Sequence, residues 1–454
     1  MRYASVDPCT GIEHHAFATA PDHEVEAAVV AAVGAAARAR AQPPAARAPR
    51  LRALAGLLER EAARLARLAA SEMGKPLAQG EAEVRKCAQG LRWVADEGPG
   101  LLAPEPRPAD GHEAFARHEP LGPLLGLMPW NFPFWQVLRF AGPALLAGNT
   151  VLLKHAPSVP RCALALEALL HESGLGEGAY ANLFLAEAQA AALVVDPRVR
   201  GVSLTGSTRA GRAVGALAGG ALKPCVLELG GSDPFIVFAD APLGEVVAAA
   251  VEARCQNSGQ SCIAAKRFLV QQPAYAAFRD AFAAALGALR MGSPLDPATQ
   301  VGPLARVDLR DHLAAQVQAS VALGARAVVG GRVPPGPGAW YPPTLLEQVP
   351  PGAPAATEEL FGPVAVLACF EDEEQALALA HATPYGLGAS VWTADLARAR
   401  RMLARLEAGS VFANGIVRSD PRWAFGGVRD SGLGRELGPE GLRAFTSTKT
   451  AWLR

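Results

Sequence analysis

The stretch GPLLGLMPWNFPFWQVLRFAGPALLAGNTVLLKHAP, residues 122–157, decides the fold class. Gly122 to Met128 and Thr150 to Leu153 are short apolar runs that predict strands, and Trp135 to Ala147 between them predicts a helix. The pattern repeats downstream: Arg161 to Leu170 helix, Gly201 to Leu204 strand, Arg209 to Ala218 helix. It resumes after Gly230-Gly231, with strands expected at Ser232 to Phe238, Arg267 to Gln271 and Pro363 to Phe370. Helices are expected near Glu245 to Cys255 and Ala274 to Leu289. Short apolar runs alternating with helices imply an α/β fold built on parallel sheet.

Upstream, Glu24 to about Trp93 carries helical periodicity, which Gly98-Pro99 and the prolines at 104, 106 and 108 interrupt. The segment from His112 to His118 reads as a hairpin or excursion. Gly330 to Pro343 reads as a surface loop, and the alternating tail Ala444 to Leu453 as a strand with no partner near it in sequence.

Composition narrows the function. With 454 residues, about three domains are expected. Half of the residues are hydrophobic and 19% are charged, which argues for a packed globule and against disorder. Lys+Arg and Asp+Glu both number 43, so the chain lacks the positive excess of a nucleic-acid or anionic-membrane binder. The apolar run Ala27 to Ala37 is 11 residues and follows acidic residues, unlike a membrane span or secretory signal. Seven scattered cysteines without a CxxC pair suggest neither a disulfide framework nor a zinc ribbon, and a reducing cytoplasm is expected. The nine histidines form no HExxH, so no metal site is expected.

Four segments can carry chemistry. Asn257-Ser258-Gly259-Gln260-Ser261-Cys262 sets a thiol after a loop of small and polar residues; its backbone N–H groups can steady a thiolate or an oxyanion. Leu227-Glu228-Leu229-Gly230-Gly231 places a carboxylate in an apolar run, where burial would raise its pKa toward that of a general base; a solvent-facing Glu is the competing reading. Pro129-Trp130-Asn131-Phe132-Pro133 is a rigid turn whose amide can donate to an oxyanion or merely satisfy its own backbone. Thr205-Gly206-Ser207-Thr208 opens a helix after a strand, an anion site if a ligand is present. Gly206 and Gly211 have P-loop spacing, but Arg212 follows where that loop needs Lys-Ser/Thr, and no GxGxxG occurs.

Together with Glu358-Glu359-Leu360-Phe361-Gly362-Pro363, Tyr385-Gly386-Leu387, and Phe425-Gly426-Gly427-Val428 leading to Ser431-Gly432-Leu433-Gly434-Arg435-Glu436, these segments resemble the NAD(P)-dependent aldehyde dehydrogenase superfamily over essentially the whole chain. Within it, residues 130–135, 153–157 and 260–268 are most similar to the shorter bacterial succinate-semialdehyde dehydrogenases. The resemblance implies Cys262 as nucleophile, Glu228 as general base, and Asn131 with the Cys262 N–H as oxyanion hole. It implies cofactor contacts, to NAD or NADP, at Met128, Pro129, Trp130, Lys154, Gly206, Ser207, Gly211, Glu359 and Phe361. Substrate contacts are expected at Trp135, Arg139, Ser261, Arg418, Ser419 and Phe425. Arg139 lies eight residues after Asn131, about 12 Å along a helix, and is expected to meet the distal carboxylate of a semialdehyde.

The implied fold has a Rossmann-type cofactor domain (1–101 and 120–229), a catalytic domain (230–425) and an oligomerisation arm (102–119 and 426–454) in a homodimer or homotetramer. Two positions depart from relatives. Pro157 stands where a carboxylate often excludes a 2′-phosphate, leaving NADP open, and Gln256 stands where some longer relatives carry arginine. A dehydrogenase of apolar or aromatic aldehydes and a catalytically silent binding protein are the alternatives. CoA acylation is disfavoured, because a water-activating Glu228 would have no use there.

Overall fold

The computed structural model describes residues 2–454. An antiparallel ribbon of β1 (Tyr3–Val6) and β2 (Glu13–Phe17), which the sequence pattern does not announce, precedes four helices. These are α1 (Asp22–Arg40), α2 (Pro44–Arg60), α3 (Ala62–Met73) and α4 (Leu77–Leu101). The last runs through Gly98-Pro99 instead of stopping there. Pro99 lies two residues from the helix end, so it removes one hydrogen bond near the terminus. Gly98 lets the helix pack closely: a Cβ there would lie 2.1 Å from the Leu146 Cδ2.

After β3 (Glu105–Pro106) and β4 (Glu113–Pro120), the first large sheet begins. In chain order come β5 (Pro123–Met128), α5 (Trp135–Ala147), β6 (Thr150–His155), α6 (Pro160–Glu172) and β7 (Tyr180–Asn182). Then follow α7 (Glu187–Val195), β8 (Gly201–Thr205), α8 (Thr208–Gly220) and β9 (Cys225–Glu228). The strands lie parallel in the order β9-β8-β5-β6-β7. The chain builds outward from β5 to β7 and then crosses back to β8. Between β5 and β8 the strand order reverses, and such a reversal opens a crevice at the carboxyl ends of the strands.

Gly230-Gly231 leads into a second sheet. It comprises β10 (Pro234–Val237), α9 (Leu243–Cys255), β11 (Arg267–Gln271), α10 (Gln272–Gly287), α11 (Val307–Ala322) and β12 (Arg326–Val329). Next come β13 (Thr344–Glu347), α12 (Pro354–Thr357), β14 (Val364–Phe370), α13 (Glu373–His381), β15 (Gly388–Trp392), α14 (Leu396–Arg405) and β16 (Ser410–Ala413). The order is β12-β13-β14-β11-β10-β15-β16, parallel except for β12 against β13. Its strands are mostly buried runs such as Pro234–Val237, as expected of sheet covered on both faces.

The tail divides its loyalties. Within 426–454, expected as arm, β17 (Gly432–Leu433) pairs antiparallel with β9 and covers that edge of the first sheet. Close approach needs glycine: a Cβ on Gly432 would stand 2.0 Å from the Leu227 carbonyl oxygen. Then α15 (Gly438–Arg443) packs on α4 and α5, and only β18 (Thr446–Leu453) joins β4. The tail strand's partner is therefore more than 300 residues away in sequence.

Candidate active site

Cys262 sits in the connection between α9 and β11, after a tight turn over Gln256–Gly259. Asn257, Ser258 and Gly259 all have left-handed backbones, with φ of 54°, 55° and 76°. For Asn257 and Ser258 this conformation costs energy that surrounding bonds must offset. The Ser258 Oγ accepts the Gly302 N–H at 2.9 Å, and the Gln260 Oε1 accepts that of Ala305 at 2.8 Å. Buried Arg254 donates to the Gly259 carbonyl at 2.7 Å, and Lys266 to the carbonyls of Ser261 at 3.0 Å and Cys262 at 2.7 Å. Gly259 has no substitute, since a Cβ would fall 2.3 Å from the Gly362 carbonyl carbon. Burial pushes the Cys262 thiol up to about 12, against the pull of Arg139 and Lys266. The thiol is therefore protonated at rest and needs a proton acceptor to become a nucleophile.

The Asn131 turn meets this loop. The Asn131 Nδ2 donates to the Gln260 carbonyl at 3.0 Å, which leaves its second amide hydrogen free. The Asn257 Nδ2 in turn donates to the Asn131 carbonyl at 2.7 Å. The Glu83 Oε1 accepts the N–H groups of Phe134 and Trp135 at 2.9 and 3.0 Å, capping the start of α5 with a charge that its dipole favours. Lys75 neutralises Glu83 in a buried ion pair. His155, held neutral by burial with a pKa of about 4, bridges to the Pro133 carbonyl at 2.9 Å.

Glu228 ends β9, buried, and neither carboxylate oxygen has a hydrogen-bond partner among the described residues. Burial raises its pKa well above the usual carboxylate range; Arg139 opposes the rise and Glu436 adds to it. The solvent-facing alternative is thereby excluded. Arg139, expected to meet a substrate carboxylate, is already ion-paired through its Nε with Glu436. Its Nη2 lies 4.0 Å from the Glu228 Oε2 and donates to the Thr205 Oγ1 at 3.2 Å. Glu436 also accepts from the Ser203 Oγ at 3.2 Å.

Cys262 opens onto a cavity of about 640 Å³ that also reaches Trp135, Arg139, Ser261, Arg418, Ser419 and Phe425. All six expected substrate contacts thus share one space with the thiol. Lys86 and Gln256 line it too.

On the other side, a cleft of about 360 Å³ occupies the strand-order reversal, with Met128, Pro129, Lys154 and Gly206 in its walls. Ser207 caps α8, its Oγ accepting the Ala210 N–H at 3.3 Å, and the bare Gly206 leaves the helix start open. Lys154 has no ion pair among the described residues, and burial lowers its pKa. An open helix N-terminus beside an unpaired ammonium fits the phosphates and ribose of a dinucleotide. Trp130 and Phe361 meet edge to face at 5.7 Å, and the Glu359 Oε1 accepts the Gly231 N–H at 3.1 Å. Gly211 does not line the cleft. It faces Leu229, whose Cδ2 would be 2.4 Å from a Cβ, so its role is close helix-to-strand packing.

A sequence profile of the aldehyde dehydrogenase family matches residues 1–451. The chain belongs to the aldehyde dehydrogenase family. The succinate-semialdehyde dehydrogenase [NADP(+)] 1 of Mycobacterium tuberculosis is 46% identical to it over all of both chains. Among solved structures, the succinic semialdehyde dehydrogenase of Streptococcus pyogenes in complex with NADP+ is 31% identical, with TM-score 0.97 over 99% of each chain. The lactaldehyde dehydrogenase of Escherichia coli is also 31% identical, with TM-score 0.96 over 100% of this chain and 96% of its own.

Several members of this aldehyde dehydrogenase site carry no role in the sequence reading: Lys86, Lys266 and Glu436. Lys86 had a signal, because Gln79, Glu83, Lys86 and Gln89 recur at three- and four-residue spacing and form a polar stripe on α4. Glu436 had none beyond its motif, since its partner Arg139 is nearly 300 residues away.

Proposed function

We propose that this aldehyde dehydrogenase oxidises succinic semialdehyde to succinate with NADP. One observation carries the reading: the Cys262 thiol shares its cavity with Lys86 and Arg418, two cations that stand outside the Arg139–Glu436 pair and suit an aldehyde with a distal carboxylate. The names of the mycobacterial and streptococcal relatives support both substrate and cofactor.

In this reading the Cys262 thiol releases its proton to solvent in the cavity and its sulfur adds to the aldehyde carbon. The free N–H of Asn131 and the Cys262 backbone N–H hold the oxyanion as it forms. A bound nicotinamide would supply the hydride acceptor, and Cys262 would then carry the acyl group as a thioester. Glu228, unpartnered and of raised pKa, then removes a proton from water, which attacks the thioester and frees the acid and the thiol. Lys154 and the start of α8 would hold the adenosine end of the dinucleotide, and Trp130, Glu359 and Phe361 the nicotinamide end.

Substrate placement does not follow from Arg139 alone. Its charge is balanced by Glu436, so toward an incoming carboxylate it offers N–H groups but little net charge. Steady-state kcat/KM for succinic semialdehyde and butanal, each with NADP and NAD, tests the reading. A preference for the charged aldehyde and for NADP is expected. Faster turnover of butanal would return the apolar-aldehyde alternative, which the apolar wall of Phe132, Ile263 and Phe425 favours.

We also propose a homodimer or homotetramer in the cytoplasm. The three-stranded arm β18-β4-β3 leaves one edge of β18 unpaired among the described residues, with Trp452 and Leu453 exposed, which supports pairing with a second copy. All seven cysteines are free, in keeping with a reducing compartment, and among the described residues no helix is long and apolar enough to cross a membrane.

A further inference from the structure

Ser419 lies on the cavity wall opposite α4, and its hydroxyl oxygen is contacted twice. The Lys86 Nζ donates to it at 2.7 Å and the Trp135 Nε1 at 3.1 Å. Lysine and indole nitrogens are donors only, so both contacts use the serine oxygen as acceptor. Its own hydrogen is left to donate, and no described residue accepts it.

Lys86 is as conspicuously unsatisfied. Its ammonium stands 4.6 Å from the centre of the Trp135 ring and makes no ion pair among the described residues. The acids nearby are committed elsewhere. Glu83, one turn back on α4, is ion-paired with Lys75 and caps α5; Asp420 is ion-paired with Arg422 at 2.7 Å. Arg139 on α5 is itself taken by Glu436, and it repels Lys86. Two ammonium hydrogens and one hydroxyl hydrogen therefore converge on the cavity that holds Cys262, with no acceptor in place.

We propose that Lys86 is the cation that receives the distal carboxylate of the substrate, beside the already expected contact Ser419, and that it sets the preference for charged over neutral aldehydes. The inference rests on the semialdehyde reading above and names the residues that enforce it. The ammonium supplies the charge that Arg139 has already spent on Glu436, and Trp135 fixes the serine oxygen so that its hydrogen faces the ligand. A charge-assisted contact of this kind is worth about ten- to hundredfold in affinity.

The charge on Lys86 is conditional. Burial lowers its pKa to about 8, aided by Arg139, while Cys87 and Glu83 on its own helix and Asp420 on the facing loop pull the other way. Arg85, Arg418 and Glu252 complete the charged lining. Below pH 8 the ammonium attracts a carboxylate; above it the neutral amine does not. Because kcat/KM reports the free enzyme, the preference for the charged aldehyde should fall as pH rises through about 8.

The test uses Lys86→Met, which keeps the apolar stem and removes the charge, and Lys86→Arg. The ratio of kcat/KM for succinic semialdehyde to that for butanal, with NADP, is measured from pH 6.5 to 9.5. In Lys86→Met the ratio should fall about ten- to hundredfold at pH 7, chiefly through KM, and become flat with pH. Lys86→Arg should restore much of the ratio and abolish its fall near pH 8, because guanidinium stays charged. A wild-type-like ratio and pH dependence in Lys86→Met overturns the proposal. If wild type itself shows no preference for the charged aldehyde, the semialdehyde reading fails instead; butanal turnover in each variant reports that the protein is folded.

Discussion

Replacing Arg139 by Met should slow both charged and neutral aldehydes, because in this fold Arg139 serves Glu228 and Glu436 before it serves a substrate. The Arg139 Nη2 stands 4.0 Å from the Glu228 Oε2. At that separation and an effective dielectric constant of about 20, unit charges attract by about 4 kcal/mol. Divided by 1.36 kcal/mol per unit, this sets a ceiling of about 3 pKa units on the support Arg139 gives the ionised base. Glu436 shares the guanidinium and repels Glu228, so an upward shift of about 1–2 units is expected in Arg139→Met. Below the shifted pKa each unit costs tenfold in ionised base, so steady-state kcat at neutral pH should fall about 10- to 100-fold and recover as pH is raised. The stability sign follows from the same shift. A carboxyl group whose folded pKa lies above its ordinary 4.5 is neutral in the fold while the unfolded chain ionises, so its penalty appears as pH rises above 4.5 and grows up to the folded pKa. The Tm deficit of Arg139→Met should accordingly widen with pH. Stopped-flow NADPH absorbance separates thioester formation from its hydrolysis, and a pH series on succinic semialdehyde and butanal completes the assay. A loss confined to succinic semialdehyde, with an unshifted pH profile, would refute this reasoning and make Arg139 the carboxylate clamp.

Cys262→Ala should abolish aldehyde oxidation while cofactor affinity, measured by fluorescence titration, stays near wild type; appreciable NADPH formation by a folded variant would remove Cys262 as nucleophile. In Glu228→Gln, hydrolysis should slow more than thioester formation, so a burst of NADPH precedes a slow steady state. Absence of the burst would give Glu228 an earlier task, such as taking the Cys262 proton. Pro157→Glu sets a carboxylate three residues beyond Lys154, and the ratio of kcat/KM for NADP to that for NAD should fall at least tenfold through repulsion of the 2′-phosphate. An unchanged ratio would mean that cofactor choice is made elsewhere in the cleft.

Local chemistry was legible in the chain itself. Trp135–Ala147 forms the helix its pattern predicts, and Arg267–Gln271 the strand, because hydrophobic periodicity and turn residues act over a few neighbours. The same holds for the thiol loop, where Asn257, Ser258 and Gly259 announce an unusual turn by residue type. Helix rise likewise brings Arg139 to the cavity of Cys262. What a side chain meets on arrival is a different matter. Glu436 reaches Arg139 only because β17 closes the edge of β9 and turns the chain back into the site. Ser419 meets Lys86 across 333 residues, and Glu228 is left without a hydrogen-bond partner only once β9 is buried. Charge is the quantity sequence order hides best. Coulomb energy depends on distance and on exclusion of water, and both are set when remote segments pack. Residue identity thus selected the reaction, while tertiary packing decided which cations remain free to greet a substrate and which are already neutralised.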